Sequence, residues 1–210
     1  MSERRIYGLY AVTPDEPDTG RLTALVEAAL EGGARLLQYR NKIAGRELRL
    51  EQAERLRQIC RRFGVPLIVN DHLETALAVD AEGVHLGRDD GDIAVARARF
   101  AGKILGVSCY NEIDRAIAAE RAGADYVAFG RFFSSVTKPG AIKASLALVA
   151  EAKRQVRSPI VAIGGITQEH TPTLIAGGVD AVAVVSALFS TPDVRGAARQ
   201  FAQLFPERLS

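Results

Sequence analysis

The chain has 210 residues, 48% of them apolar and 25% charged, which suits one domain able to bury a sizeable core without disulfides. Its 27 Lys and Arg against 25 Asp and Glu leave a formal charge of +2, with no run of like charge, and this argues against nucleic acid as a partner. No stretch of about 18 apolar residues occurs, and the opening MSERRIYGLYAVTPDEP lacks the apolar segment of a secretory signal, so neither a membrane span nor export is expected; the cytoplasm is the expected compartment.

Eight short β-branched runs follow one another along the chain: IYGLYAV, RLLQYR, PLIVN, GVHLG, KILGVS, DYVAFG, PIVAIGG and DAVAVVS. Between them lie segments such as LTALVEAALEGG, RLEQAERLRQICRRFG, EIDRAIAAERAGA and LALVAEAKRQV, whose apolar residues recur every three or four positions and whose other faces are charged. The runs are apolar almost throughout, which predicts a parallel sheet covered by helices rather than a sheet with one wet face. A junction also recurs, in EGGARLL, RAGADYV and AGGVDAV, where glycine closes a helix and supplies its left-handed cap. Eight such units predict an α/β fold of the (β/α)8 TIM barrel type, one domain over residues 1–210. The alternative, a doubly wound open sheet, lacks its GxGxxG fingerprint after the first run. Cys60, within a helical pattern, and Cys109, after the fifth run, stand in no metal or redox spacing and read as reduced thiols.

In such a barrel chemistry belongs where strands end and helices begin. The second run ends in QYRNK, where alternation puts Gln38, Arg40 and Lys42 on one side and Tyr39 and Asn41 on the other. Two cations and an amide fit either a solvated strand end or a cradle for an anion. The third run ends in Asn70 and Asp71, and the fourth leads to Asp90. In neighbouring loops the two carboxylates could share Mg2+, or each could simply cap a helix. His85 alternates with apolar neighbours and reads as a hydrogen-bonded core residue, His72 and His170 as loop residues. The fifth run ends near Ser108, and the sixth opens onto GRFFSSVTKPG, two serines, a threonine and a lysine. Gly164 and Gly165 follow the seventh run, and Ser186 the eighth, each where a helix would start; phosphate binding, a tight turn and a helix cap are the competing readings.

Taken together, QYRNK, NDH, GVHLGRDD, GVS, the TK of the sixth loop, AIGGI and the last VS resemble the thiamine-phosphate synthase family in order and spacing, from GLYAVT to VVSALF. The resemblance implies a transferase that joins a pyrimidine diphosphate to a thiazole phosphate, giving thiamine phosphate and diphosphate in thiamine biosynthesis. It implies that Gln38, Tyr39, Arg40, Asn41, Lys42 and Asn70 bind the pyrimidine diphosphate together with Ser108 and Lys138, and that Asp71 and Asp90 hold Mg2+ on it. Ser135, Val136 and Thr137 would bind the thiazole phosphate, helped by Gly164, Gly165, Val185 and Ser186. Arg40, Lys42, Ser108 and Lys138 would be the catalytic groups, stabilising a departing diphosphate in a dissociative substitution that needs no side-chain nucleophile. The partners implied are small molecules carrying phosphate and diphosphate, and a homo-oligomer is compatible with the sequence.

Several positions depart from the family pattern. Asn41 stands where an acid is usual, Arg88 where glutamine is usual, Arg131 and Ser134 where prolines are usual, and Ser135 where threonine is usual. Two alternatives remain at this stage: a related thiazole tautomerase, which need not retain the diphosphate and metal residues, and a non-catalytic phosphate-binding barrel.

Overall fold

A computed structural model of the chain describes residues 6–133 and 144–206. In chain order its elements are β1 Gly8–Val12, α1 Thr19–Glu31, β2 Leu36–Tyr39, α2 Arg46–Phe63, β3 Leu67–Asn70, α3 Leu73–Ala78, β4 Gly83–Leu86, α4 Ile93–Arg99, β5 Ile104–Tyr110, α5 Ile113–Arg121, β6 Tyr126–Phe129, α6 Leu146–Gln155, β7 Ile160–Ile163, α7 Thr171–Ala176, β8 Ala181–Val184, α8 Ser186–Phe189 and α9 Val194–Gln203. Each strand pairs in parallel with the next, and β8 pairs with β1 through Leu9↔Val182 and Tyr10↔Ala183, closing the barrel. Closure excludes the doubly wound alternative.

The strands read as continuously apolar because both of their faces are buried. Outward residues such as Leu9, Leu37, Val69, Val84, Val107, Val127 and Val182 pack against Leu22 and Val26 of α1, Leu56 of α2 and Phe201 of α9. Inward residues, including Tyr10, Leu36, Ile68, Ile104, Tyr126, Val161 and Ala181, fill the barrel as a separate cluster. Two glycines make room in that interior. A Cβ on Gly83 would lie 2.2 Å from Cδ1 of Ile68, and one on Gly106 would lie 2.0 Å from Cζ of Tyr126.

The helices are anchored by local chemistry. Asp18, Asp92, Ser145 and Asp193 accept backbone N–H bonds as the N-caps of α1, α4, α6 and α9. Helix α2 turns Ala53, Leu56 and Cys60 to the barrel and ends at Gly64 in the left-handed conformation, φ +65°, with Arg61 and Arg62 in its last turn against the negative helix end. Cys109 lies inside β5 rather than after it, and burial pushes its thiol up to about 12; burial raises the Cys60 thiol as well. Neither is a thiolate at neutral pH. Among the described residues no helix is long and apolar enough to cross a membrane.

Candidate active site

At the C-terminal end of β2 Gln38 and Tyr39 alternate as a strand requires, whereas Arg40 and Lys42 follow in the loop beyond the last strand residue, Tyr39. Gln38 is buried and turned inward, its Nε2 donating to Tyr10 Oη at 3.0 Å. Tyr39 and Asn41 turn the other way: Tyr39 Oη and Asn41 Nδ2 both donate to Gln52 Oε1, at 2.9 and 3.0 Å, and Asn41 also donates to the Glu16 carbonyl at 2.8 Å. Those two side chains fasten α2 and the β1 loop, and Asn41 also lines the cleft beside them. Asp15, in the β1 loop, accepts from Arg40 Nη1 at 3.1 Å and from the Lys42 backbone N–H at 2.7 Å. Thr13 clasps the Arg40 backbone, its Oγ1 donating to the carbonyl at 2.7 Å and accepting from the N–H at 2.8 Å. Sequence reading missed Asp15 because its partners lie 25 and 27 positions away.

A cleft of about 170 Å³ opens here, lined by Arg40, Asn41, Lys42, Arg49, Asn70, Asp71 and His72. Arg49, in the opening turn of α2, is a further cation that the motif reading did not single out. Its Nη1 donates to the Ala44 carbonyl at 3.3 Å, while its buried Nε has no hydrogen-bond partner among the described residues. The available signal was its position at the start of the helix that follows QYRNK, seven residues beyond Lys42.

Asp71 and Asp90 meet. Asp71 sits just past β3 in the left-handed region, φ +62°, its N–H donating to the His85 carbonyl at 2.8 Å. Asp90 Oδ2 accepts from the Gly87 N–H at 2.6 Å. Burial, then a hydrogen bond and charge repulsion from Asp90, push the Asp71 carboxyl up to about 6, although Lys42 and Arg40 pull it down. The helix-cap reading fails for both: Asp92, not Asp90, caps α4, and His72 occupies the N-cap position of α3 without a side-chain bond. Two half-buried carboxylates that repel one another suit a hard divalent cation, which would neutralise their charge. Among the described residues no group of three or more His, Cys, Asp or Glu could hold a metal unaided, so any such ion would draw further ligands from water or substrate.

His85 behaves as the core residue expected. Its Nδ1 lies 2.9 Å from Tyr126 Oη and its Nε2 2.8 Å from Ser108 Oγ, and burial lowers its pKa to about 4. Tyr126 Oη in turn lies 2.8 Å from Tyr10 Oη. Five side chains on five strands, Gln38, Tyr10, Tyr126, His85 and Ser108, therefore form one hydrogen-bonded series through the barrel interior. Asn70 ends β3 in register with His85.

Beyond β6, Ser134 and the candidate residues Ser135, Val136, Thr137 and Lys138 lie outside the described residues. The flanks are tied down: Phe132 and Phe133 donate backbone N–H bonds to the carbonyls of Ile163 and Gly164, at 3.3 and 3.0 Å, and Ala144 donates to Arg131 at 2.7 Å. Phe133 also stacks on His170 with ring centroids 3.6 Å apart. Gly164, φ +103°, admits the Arg131 backbone, since a Cβ there would lie 2.9 Å from Arg131 Cα. The glycine pair corrects one expectation: no helix starts there, because α7 begins only at Thr171. Ser186 does open α8, but without a capping bond; it is exposed and follows the half-buried Val185. Arg88 is held at the rim by Glu112 and lies over the Tyr110 ring, 5.1 Å from its centroid.

The closed barrel places the chain among (β/α)8 proteins, a fold it shares, at a TM-score of 0.69 and only 17% identity, with a 3-hexulose-6-phosphate synthase. Closer likenesses are specific. The family model described as thiamine monophosphate synthase matches residues 9–188. The thiamine-phosphate synthase of Nitrosospira multiformis is 54% identical over 203 residues, covering 96% of this chain and 87% of that one. That of Methylobacillus flagellatus is 55% identical over 201 residues, covering 95% and 96%. The solved thiamine phosphate pyrophosphorylase from Pyrococcus furiosus superposes with a TM-score of 0.87 at 35% identity, covering 96% of both chains. The chain belongs to the thiamine monophosphate synthase family.

Proposed function

We propose that the chain joins hydroxymethylpyrimidine diphosphate to thiazole phosphate, forming thiamine phosphate and releasing diphosphate. The observation that carries this reading is the Asp71–Asp90 pair beside Arg40 and Lys42 of the β2 loop and Arg49 of α2. A tautomerase acting on the thiazole phosphate alone has no use for that set, and a scaffold barrel has no reason to crowd two carboxylates against cations.

In this reading Asp71 and Asp90 hold Mg2+, which supplies Lewis-acid neutralisation of the leaving diphosphate. Arg40, Lys42 and Lys138 flank the same group, and Arg49 stands behind them. A diphosphate of about −3 and two aspartates are balanced by the metal and three cations to roughly zero, so losing one cation leaves the departing charge under-compensated. Gln38 and Asn70 face the pyrimidine from the barrel interior, and Ser108 donates to its diphosphate. Tyr39 and Asn41 act by holding the strand end in place. Ser135 to Thr137, the Gly164–Gly165 turn and Val185 with Ser186 receive the thiazole phosphate. Bond breaking precedes bond making, so the protein contributes orientation, charge and exclusion of water rather than a nucleophile.

The test is an endpoint mass-spectrometric assay of the purified chain with both substrates, in Mg2+ and in EDTA. Thiamine phosphate formed only with Mg2+ is the expected result. Binding of thiazole phosphate without any product in Mg2+ would transfer the chain to the tautomerase reading.

A further inference from the structure

The series from Gln38 to Ser108 has a direction. Gln38 Nε2 donates to Tyr10 Oη. Tyr10 has one hydroxyl proton, and the only other polar group described against its oxygen is Tyr126 Oη, at 2.8 Å. Tyr10 therefore donates to Tyr126; the Gln38 amide also donates to Tyr126 and so cannot take its proton, which goes onward to His85 Nδ1, 2.9 Å away. That nitrogen is then an acceptor, the imidazole proton sits on Nε2, and Nε2–H donates to Ser108 Oγ, 2.8 Å away. The opposite direction, with Nδ1–H donating to Tyr126, would make Tyr10 accept twice. Its buried proton would then have no acceptor among the described residues, a costly arrangement. An imidazolium, donating from both nitrogens, fails on the same count.

We propose that His85 is a positioning residue: held as the Nε2–H tautomer by Tyr126, it keeps Ser108 Oγ as an acceptor on its barrel side, so that the serine proton points out of the mouth toward an anionic substrate group. A serine rotates freely and can present either a lone pair or a proton. A fixed donor behind it removes that choice, which matters when the group in front is a diphosphate oxygen. The proposal rests on the reading of Ser108 as a diphosphate contact. It adds to that reading two residues, His85 and Tyr126, that do not touch substrate, and it assigns a proton position that distances alone leave open.

Two measurements test it. Nitrogen-15 NMR on the full-length, histidine-labelled protein reads the tautomer directly; three histidines are present, so His72→Gln and His170→Gln variants leave the His85 pair identified. A protonated, pyrrole-like Nε2 with an unprotonated Nδ1 is expected. A protonated Nδ1 overturns the proposal, since it would mean that Gln38 is turned to accept and the series runs backward. The second measurement is a kinetic cycle of Tyr126→Phe and Ser108→Ala, with kcat and KM for the diphosphate substrate. Tyr126→Phe, which removes the donor to Nδ1, is expected to lower kcat about tenfold or more and to have no further effect once Ser108 is alanine. Independent, multiplicative losses would show a merely structural tyrosine and sink the proposal. Should Ser108→Ala alone leave kcat unchanged, the diphosphate role of Ser108 would fail, and the orienting role of His85 with it, whereas the Mg2+ assay above would be unaffected.

Discussion

The ring of Tyr126 occupies the space that a side chain on Gly106 would need: a Cβ there would lie 2.0 Å from Tyr126 Cζ and 2.3 Å from its Oη. β5 gives up a side chain so that β6 can send a tyrosine across the barrel to Tyr10 and His85.

Gly106→Ala should therefore cost roughly 3 kcal/mol, at the upper end for overpacking, because the ring is hydrogen-bonded and cannot swing aside. In a chain of this length that is a fall in Tm of roughly 6–12 °C. Calorimetry checks it, and a change under 2 °C would show that the interior yields more easily than the geometry implies.

Asp15 gathers Arg40 and the Lys42 backbone from across the β1 loop. Asp15→Ala is expected to raise KM for the diphosphate substrate about tenfold, the worth of one partly exposed charge-assisted bond, with kcat within about threefold of the parent. Arg40→Ala should instead lower kcat on the order of a hundredfold or more. Steady-state kinetics on both variants separates the two roles, and identical profiles would refute the distinction.

Arg49 lines the cleft with a buried Nε that has no partner among the described residues. Titration of Arg49→Ala with magnesium diphosphate should show binding weakened about tenfold relative to the parent, as for loss of one hydrogen-bonded charge. Unchanged affinity would assign the arginine to loop support alone.

Asp71 has its pKa raised, mainly by burial, from an ordinary 3.8 to about 6, so the folded chain holds this proton more tightly than the unfolded chain does. The sign follows: the destabilisation is absent below about pH 4, grows as pH rises and is complete above about pH 6. Asp71→Asn keeps the shape and suits the left-handed φ of +62°. In metal-free protein it should raise Tm at pH 8 by about 2–4 °C, near 1 kcal/mol after discounting for solvent at these half-buried groups, and leave Tm unchanged at pH 4. Millimolar Mg2+ should then stabilise the parent and not the variant. Equal Tm values for the two at pH 8 without metal would remove the argument.

The architecture was legible because two periods repeat eight times without interruption, and because glycines such as Gly64 mark the helix ends. Alternation separated Gln38 from Tyr39 correctly, since a strand end obeys the pleat even where its residues are polar. What stayed hidden depends on contacts between distant strands. Nothing local distinguishes Tyr10 or Tyr126 from other buried aromatics, and Asp15 reads as an ordinary loop acid until the β2 end is folded against it. The glycine pair after β7 misled because a turn and a helix start call for the same residue; only the fold shows five residues, 166–170, between Gly165 and α7.

The seam between β1 and β8 bears on how the molecule is made. The first strand has two partners, one synthesised within a few dozen residues and the other about 170 positions later. During translation β1 can dock on β2 early, but its other edge stays open until β8 emerges. α9 then packs on α1, and Tyr7 Oη donates to the Pro206 carbonyl 199 positions away, at 2.8 Å. These contacts are thus among the farthest apart in the chain, and an exposed strand edge must be tolerated until β8 has been made. The same adjacency means that residues 7 and 206 could be bridged by a short linker and the ring cut open at another loop, turning the last seam to form into one of the first.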